Sequence, residues 1–492
     1  MSAHDDLAYL TATELTQLYR SRRLSPVEMA EASLTRIAQL DPKLNSYITV
    51  TAERAREQAK AAERRYMRGA PHSALDGVPF APKDIFATRG VRTTHGSKLG
   101  ADHVPTETAT AVERLEKAGG VMLGKLNLLE FATGSGTESG FGPARNPWDL
   151  ARDPGGSSSG SGAALAAGMA TLSLGTDTGG SIRNPAARCG VVGLKPTYGR
   201  VSRNGVTPLA WTLDHAGPMA RNVRDAACLL RVIAGYDPKD ASSAREPAPD
   251  YEAALAGRLS LAGRRFAVAQ QLLDPLEPEV RTVFEAALGR LESLGARRAA
   301  ASLPSVPAMN IACEVLIGAE AAVYHEQNLR HKERRALIDP AVRMYATSGR
   351  FYMATDYVKA QRLRRQLQAE LEAALAEADV LVCPSDPTLT PKVGEAARLA
   401  GRERMWFEYG TVNLGNLTGA PAISVPCGFT PDGMPVGLQL YGRAFDEATV
   451  LSFAHAYERT TDWHRRRPPL AAEFTSAARQ NRSFAPSITR RG

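Results

Sequence analysis

The 492-residue chain is expected to form a layered α/β fold, and three observations carry that expectation. Segments with helical apolar spacing alternate with short strand-like runs from Thr11 to Arg459, the pattern of helices packed on a sheet. Two apolar runs, Ala422–Cys427 and Val436–Tyr441, flank the turn Pro431-Asp432-Gly433, so an antiparallel hairpin enters that sheet. No internal repeat of roughly 20–50 residues is present, which argues against a solenoid or propeller.

In chain order, Thr11 with Glu14 fits a capping box, and Ser25-Pro26-Val27-Glu28 is a stronger one with Pro at the first helical position. Ala30, Leu34 and Ile37 then recur at helical spacing, predicting an amphipathic helix over Pro26–Leu40. Ser46–Val50 reads as a short strand and Thr51–Met67 as a helix. Leu75–Ile85 is broken by Pro79 and Pro82 and reads as extended chain running into a loop. Thr108–Ala118 is a helix closed by Gly119-Gly120, Val121–Leu123 a buried strand, and Gly160–Leu174 a helix of small apolar residues. Asp237–Pro249 is an exposed connection. Beyond it follow the strand Arg265–Ala269, helices Glu277–Ser293 and Asp356–Ala376, the strand Val380–Cys383, the hairpin, and a last helix Asp446–Arg459.

Composition bounds the function. The five cysteines (189, 228, 313, 383, 427) are odd in number, widely spaced and free of any CxxC pair, so reduced buried thiols are expected rather than a zinc site or disulfides. No apolar run reads as long enough to cross a bilayer, and no signal peptide opens the chain; a cytoplasmic protein without membrane contact is expected. The net charge is +8, but Arg465–Gly492 holds seven Arg and one Glu, a net +6, leaving +2 on the other 464 residues. Basicity therefore belongs to the tail, and no nucleic-acid partner is expected. One domain is read over 1–470, with helices at 11–69, a motif-dense core at about 75–220 and a substrate-pocket region at about 250–410. The stretch 471–492 reads as a flexible basic tail.

Chemistry concentrates between Asp153 and Pro196. Ser157 and Ser181 each follow a Gly-Gly pair, Gly155-Gly156 and Gly179-Gly180. Glycine turns let backbone N–H groups face a bound atom, which is what acyl transfer to a serine requires. After Asp177, the amides of Thr178, Gly179, Gly180 and Ser181 can curl around one oxygen. A serine needs a base, and none of the nine histidines falls in this stretch. The G-x-S-x-G-like run Gly155–Gly160 competes, but a polar, proline-bearing segment precedes it where a nucleophile elbow needs a buried strand. Lys83 is the better base, provided that burial keeps its amine neutral. On spacing alone, the simpler reading is a surface lysine paired with Asp84.

The chain resembles the amidase signature family of serine hydrolases from Leu15 to Leu470. The likeness is densest in Arg145-Asn-Pro-Trp, Pro154-Gly-Gly-Ser, Gly175-Thr-Asp-Thr-Gly-Gly-Ser-Ile-Arg, Cys189-Gly-Val-Val-Gly-Leu-Lys-Pro-Thr-Tyr-Gly-Arg and Gly217-Pro-Met-Ala-Arg. It implies the amidase signature fold, a large twisted mixed sheet covered by helices on both faces. By resemblance, the catalytic set maps onto Lys83, a cis-bonded Ser157 and the nucleophile Ser181. The oxyanion hole maps onto Thr178, Gly179 and Gly180, and Thr133 and Gly134 onto a stretch lining the substrate carbonyl. Asp177 and Arg183 are expected to brace the loop. The implied reaction, amide cleavage through an acyl-enzyme, needs no metal or organic cofactor.

Which amide is a separate question. The family includes the glutaminyl-tRNA amidotransferase A subunit, which works in a complex. Its aspartate for glutamine's amino group falls at Tyr409 here, which weighs against that alternative. In malonamidase-like relatives an Arg three residues past the nucleophile binds a carboxylate, and Asn184 stands there instead. Between Met309 and Trp406, the residues Tyr324, Met344, Tyr345, Phe351, Tyr352 and Met353 are read as shaping an apolar pocket. Aryl or alkyl amides are accordingly expected first, followed by anilides, esters and carbamates. A non-catalytic scaffold is the remaining alternative, and a homodimer is left open.

Overall fold

The computed structural model describes residues 7–134, 139–256, 259–395 and 410–470; the basic tail and Tyr409 lie outside them. The strands are β1 (Tyr47–Val50), β2 (Pro79–Pro82), β3 (Val121–Met122), β4 (Gly124–Leu126), β5 (Leu172–Asp177) and β6 (Val192–Lys195). They continue with β7 (His215–Ala220), β8 (Arg265–Ala269), β9 (Arg297–Ala301), β10 (Val380–Pro384), β11 (Ala422–Phe429) and β12 (Pro435–Tyr441). Ten of them form one sheet in the order β3-β2-β5-β7-β6-β11-β12-β10-β8-β9, and β1 pairs with β4 apart from it. Pairing is parallel at both ends and antiparallel from β5 through β10, so the sheet is mixed, as the hairpin β11–β12 requires.

Both faces of the sheet are covered. Phe80 and Ala81 of β2 fall into different apolar clusters, as do Val121 and Met122 of β3, because successive strand side chains point to opposite sides. One cluster is completed by Leu15 and Tyr19, by Leu229 and Leu230, and by Phe284 and Leu288. The other takes Ala30, Leu34 and Ile37, with Leu165 and Ile182.

Both capping boxes are present. Ser25 Oγ accepts from Val27 and Glu28 N–H, while the Glu28 carboxylate accepts from Ser25 N–H at 2.8 Å. That helix runs to Leu44, past the expected Leu40, and stops where Asn45 turns left-handed at φ 50°.

Three expectations change. The helix predicted over Gly160–Leu174 covers only Ser159–Ala166. Gly168, at φ +69°, ends the small-residue run, and Leu172–Asp177 becomes the fully buried strand β5. Next, Val306–Tyr324 is long and apolar enough to cross a membrane by length and composition. It packs Met309, Ala312, Cys313, Leu316 and Ile317 into the main core instead. Finally, Met344, Phe351 and Met353 are 68%, 80% and 64% exposed, so they stand on the surface and do not line an apolar pocket.

Candidate active site

Strands β2 and β5 run parallel, with Pro82 opposite Leu174, so Lys83, just past β2, and Thr176, near the end of β5, lie at the same end of the sheet. Lys83 N–H donates to Leu174 O at 2.9 Å, fixing the backbone there. Its side chain is fully buried, and Nζ lies 2.7 Å from Ser157 Oγ and 2.8 Å from Thr176 Oγ1. The surface pairing with Asp84 does not form. Asp84 is itself buried, lies 3.2 Å from Lys125 Nζ, and accepts from Thr94 N–H and Oγ–H. Burial pushes the Lys83 amine down from 10.5 to about 7, with the Asp177 and Asp214 charges opposing the shift. A neutral amine at Nζ can donate to Thr176 and accept the Ser157 hydroxyl proton.

Ser157 is 2% exposed, and the Gly156–Ser157 peptide is cis. The bend is held from several sides. Asn184 Oδ1 accepts Gly156 N–H at 3.1 Å, Asp153 Oδ1 accepts Gly155 N–H at 2.6 Å, and Ser157 O accepts Leu129 N–H at 3.2 Å. Asn184 donates onward to Asp386 at 3.0 Å, so in this chain it ties the Gly155-Gly156 turn to the segment that follows β10. Ser158 N–H donates to Ser181 O at 3.2 Å, which lays the two Gly-Gly-Ser turns side by side. The Ser181 side chain is half-buried, and its hydroxyl makes no hydrogen bond to Ser157 or to any other described residue. Catalytic hydrogen bonds often tighten only when substrate is bound.

Asp177 organises the turn that presents Ser181. Its carboxylate accepts from Gly180 N–H (2.8 Å), Ile182 N–H (3.1 Å), both ends of the Arg183 guanidinium (3.0 and 2.9 Å) and Asn416 (2.9 Å). Burial alone would raise its pKa, but Arg183 and these hydrogen bonds override that and hold it well below the carboxylate range. Arg183, fully buried, also donates to Val412 O, Gln439 Oε1 and Tyr441 Oη, tying the turn to strand β12. Gly180 sits at φ +102°, and a Cβ there would collide with Val412.

Of the three amides expected to hold the oxyanion, those of Thr178, Gly179 and Gly180, one already has an acceptor within the protein. Gly180 N–H is committed to Asp177, whereas the amides of Thr178, Gly179 and Ser181 have no acceptor among the described residues. Thr133 and Gly134 lie beyond β4 on a left-handed strap, with Phe131 at φ 50° and Ala132 at φ 60°. Thr133 N–H donates to Glu130 O at 2.9 Å.

Sequence reasoning puts no histidine near the serines, yet β7 sets His215 opposite Asp177 in register. Its Nδ1 lies 2.6 Å from Leu213 O, and burial lowers its pKa well below the usual value, so it stays neutral. It lines a cavity of about 230 Å³ with Ala132, Thr176, Thr178, Trp211 and Asp214. The pairing of Asp177 with His215 is hidden in the sequence because the run that forms the start of β5 reads as helix.

The chain is similar over most of its length to several known proteins. A family model described as Amidase matches residues 28–451. The A subunit of the Glutamyl-tRNA(Gln) amidotransferase of Roseiflexus sp. (strain RS-1) is 43% identical over 491 residues, covering 95% of this chain and 99% of that one. Among solved structures, one from a vestigial protein complex related to an s-triazine catabolic enzyme superposes with a TM-score of 0.86. It is 33% identical and covers 92% of this chain and 98% of its own. A bacterial aryl acylamidase superposes at 0.84 with 27% identity, covering 94% and 98%. With a ten-stranded mixed sheet, two Gly-Gly-Ser turns packed together and matches along nearly its whole length, this chain belongs to the amidase signature family.

Proposed function

We propose that the protein cleaves a primary carboxamide through an acyl-enzyme on Ser181, releasing ammonia. The observation that carries this reading is the buried Lys83 amine, 2.7 Å from Ser157 Oγ with no carboxylate paired to it among the described residues. An amine in that setting is a base at neutral pH. Lys83 takes the Ser157 proton, Ser157 takes that of Ser181, and Ser181 Oγ attacks the carbonyl carbon. The Thr178, Gly179 and Ser181 amides receive the oxyanion. Ser157 returns a proton to the departing nitrogen, so ammonia leaves neutral, and water entering along the same relay frees Ser181.

Two acyl groups compete. The 43–44% identity to amidotransferase A subunits, over nearly the full length of both chains, favours glutamine as the ammonia source within a multi-subunit assembly. Tyr409, which by sequence resemblance falls at the position of the amidotransferase's aspartate for glutamine's amino group, favours an acyl group without that charge, such as an aryl or alkyl one. Because Met344, Phe351 and Met353 point outward, the apolar-pocket argument for the second choice loses support. Glutamine is therefore the first substrate to test.

Ammonia release should be followed with glutamine, benzamide and short primary alkyl amides, and aniline release with an anilide, with and without the other amidotransferase subunits. Glutamine turnover that appears only with those subunits supports the amidotransferase role. Turnover of simple amides by the chain alone makes it a stand-alone amidase. A chain that releases neither ammonia nor aniline from any of them, alone or assembled, is a scaffold.

A further inference from the structure

The strap at 129–134 connects the reaction centre to the helical region after residue 305, and one buried carboxylate makes the connection. Leu129 N–H, at its start, donates to Ser157 O. Phe131 N–H donates to His95 O at 2.8 Å, and His95 N–H donates to Asp84 O at 3.0 Å, beside Lys83. Between these two ties sits Glu130, 1% exposed. One of its oxygens accepts the Ser97 hydroxyl, and the other accepts Asp339 N–H at 2.7 Å. Asp339 caps the helix Pro340–Ser348, whose Val342 packs with Ile338 against Phe131 in a small apolar cluster of their own. Phe131 and Ala132 are held left-handed, a conformation that side-chain-bearing residues adopt only when their surroundings impose it.

We infer that Glu130 is a positioning residue: its carboxylate clamps the strap between the Ser97 turn and the Pro340–Ser348 helix, and so sets Thr133 and Gly134 against the substrate carbonyl. This rests on the amide-cleaving reading above. Losing the carboxylate frees the far end of the strap, while Leu129 still holds Ser157. The expected defect is therefore in substrate binding more than in the chemical step. A residue that only stabilised the fold would lower the fraction of active protein and leave KM of the remainder unchanged.

The experiment compares wild type, Glu130→Ala, Glu130→Gln and Ser97→Ala, with active sites titrated by a fluorophosphonate. Glu130→Ala should raise KM about tenfold or more, with kcat per titrated site within about threefold. Glu130→Gln keeps a carbonyl oxygen for Asp339 N–H and should stay within about threefold of the wild-type KM. Ser97→Ala, losing one arm, should fall between them. Hydrogen exchange across 129–134 provides a readout independent of turnover: the Phe131 amide should exchange faster in Glu130→Ala and stay protected in Glu130→Gln. Unchanged KM and unchanged exchange in Glu130→Ala overturn the clamp, as does Glu130→Gln failing to the same degree as Glu130→Ala. Absence of turnover and of Ser181 labelling in wild type would instead defeat the amide-cleaving reading, and exchange would still decide the clamp.

Discussion

Replacing Ser181 by Ala should abolish amide cleavage, a loss of roughly 10⁵-fold or more in kcat, while leaving the fold intact. Ser181 stands half-buried at the end of the Gly179-Gly180 turn, and its hydroxyl holds no other described part of the protein in place. Its backbone O, which accepts Ser158 N–H, survives the change, so unfolding stability should move by less than about 0.5 kcal/mol. A fluorophosphonate should label wild type at Ser181 and fail to label the variant. Labelling at Ser157 in both proteins would show that the wrong hydroxyl had been assigned.

Lys83→Met should lower kcat/KM by roughly 10⁴-fold and at the same time make the protein harder to unfold near pH 6. The two effects have one cause. Burial lowers the amine from 10.5 to about 7, so between those values the unfolded chain binds a proton that the folded chain does not. Stability from this group therefore rises with pH across that window, and below pH 7 the full penalty of a buried ammonium is present. At its largest that penalty is on the order of 5 kcal/mol, reduced in the comparison by the hydrogen bonds to Ser157 and Thr176 that Met cannot make. The advantage of Met should be greatest below pH 7 and shrink toward pH 10. Chemical denaturation of both proteins at pH 6 and pH 9 measures it, and a variant less stable by the same amount at both would contradict the buried-amine account.

How much of the structure is legible in the sequence follows from the range of the forces involved. Capping boxes at Thr11 and Ser25, the hairpin around Asp432-Gly433 and the strand Arg265–Ala269 are local patterns, and all appear at or near their expected bounds. Strands β5, β6 and β7 escape such a reading because each is a short, fully buried run interrupted by glycine, too brief for its period to stand out. The partner of Lys83 is hidden for another reason. Whether a lysine faces water or Ser157 depends on β2 lying beside β5, a contact between residues more than ninety positions apart. Arg183 reads in the sequence only as a brace for its loop. Its acceptors Val412, Gln439 and Tyr441 come from the far end of the chain, so no local pattern announces the tie to β12. Glu130 leaves no signal at all, since its two acceptor bonds reach 33 residues back and 209 forward.

The pH dependence of Ser181 acylation by an amide substrate tests the proton relay most directly. If a neutral amine at Lys83 draws the proton through Ser157, the rate should climb with pH through a single ionisation near 7 and then level off, and Lys83→Met should erase that step. A rate that is flat from pH 5 to 9 in wild type, or a rise that persists in the Met variant, would mean that some other group is the base.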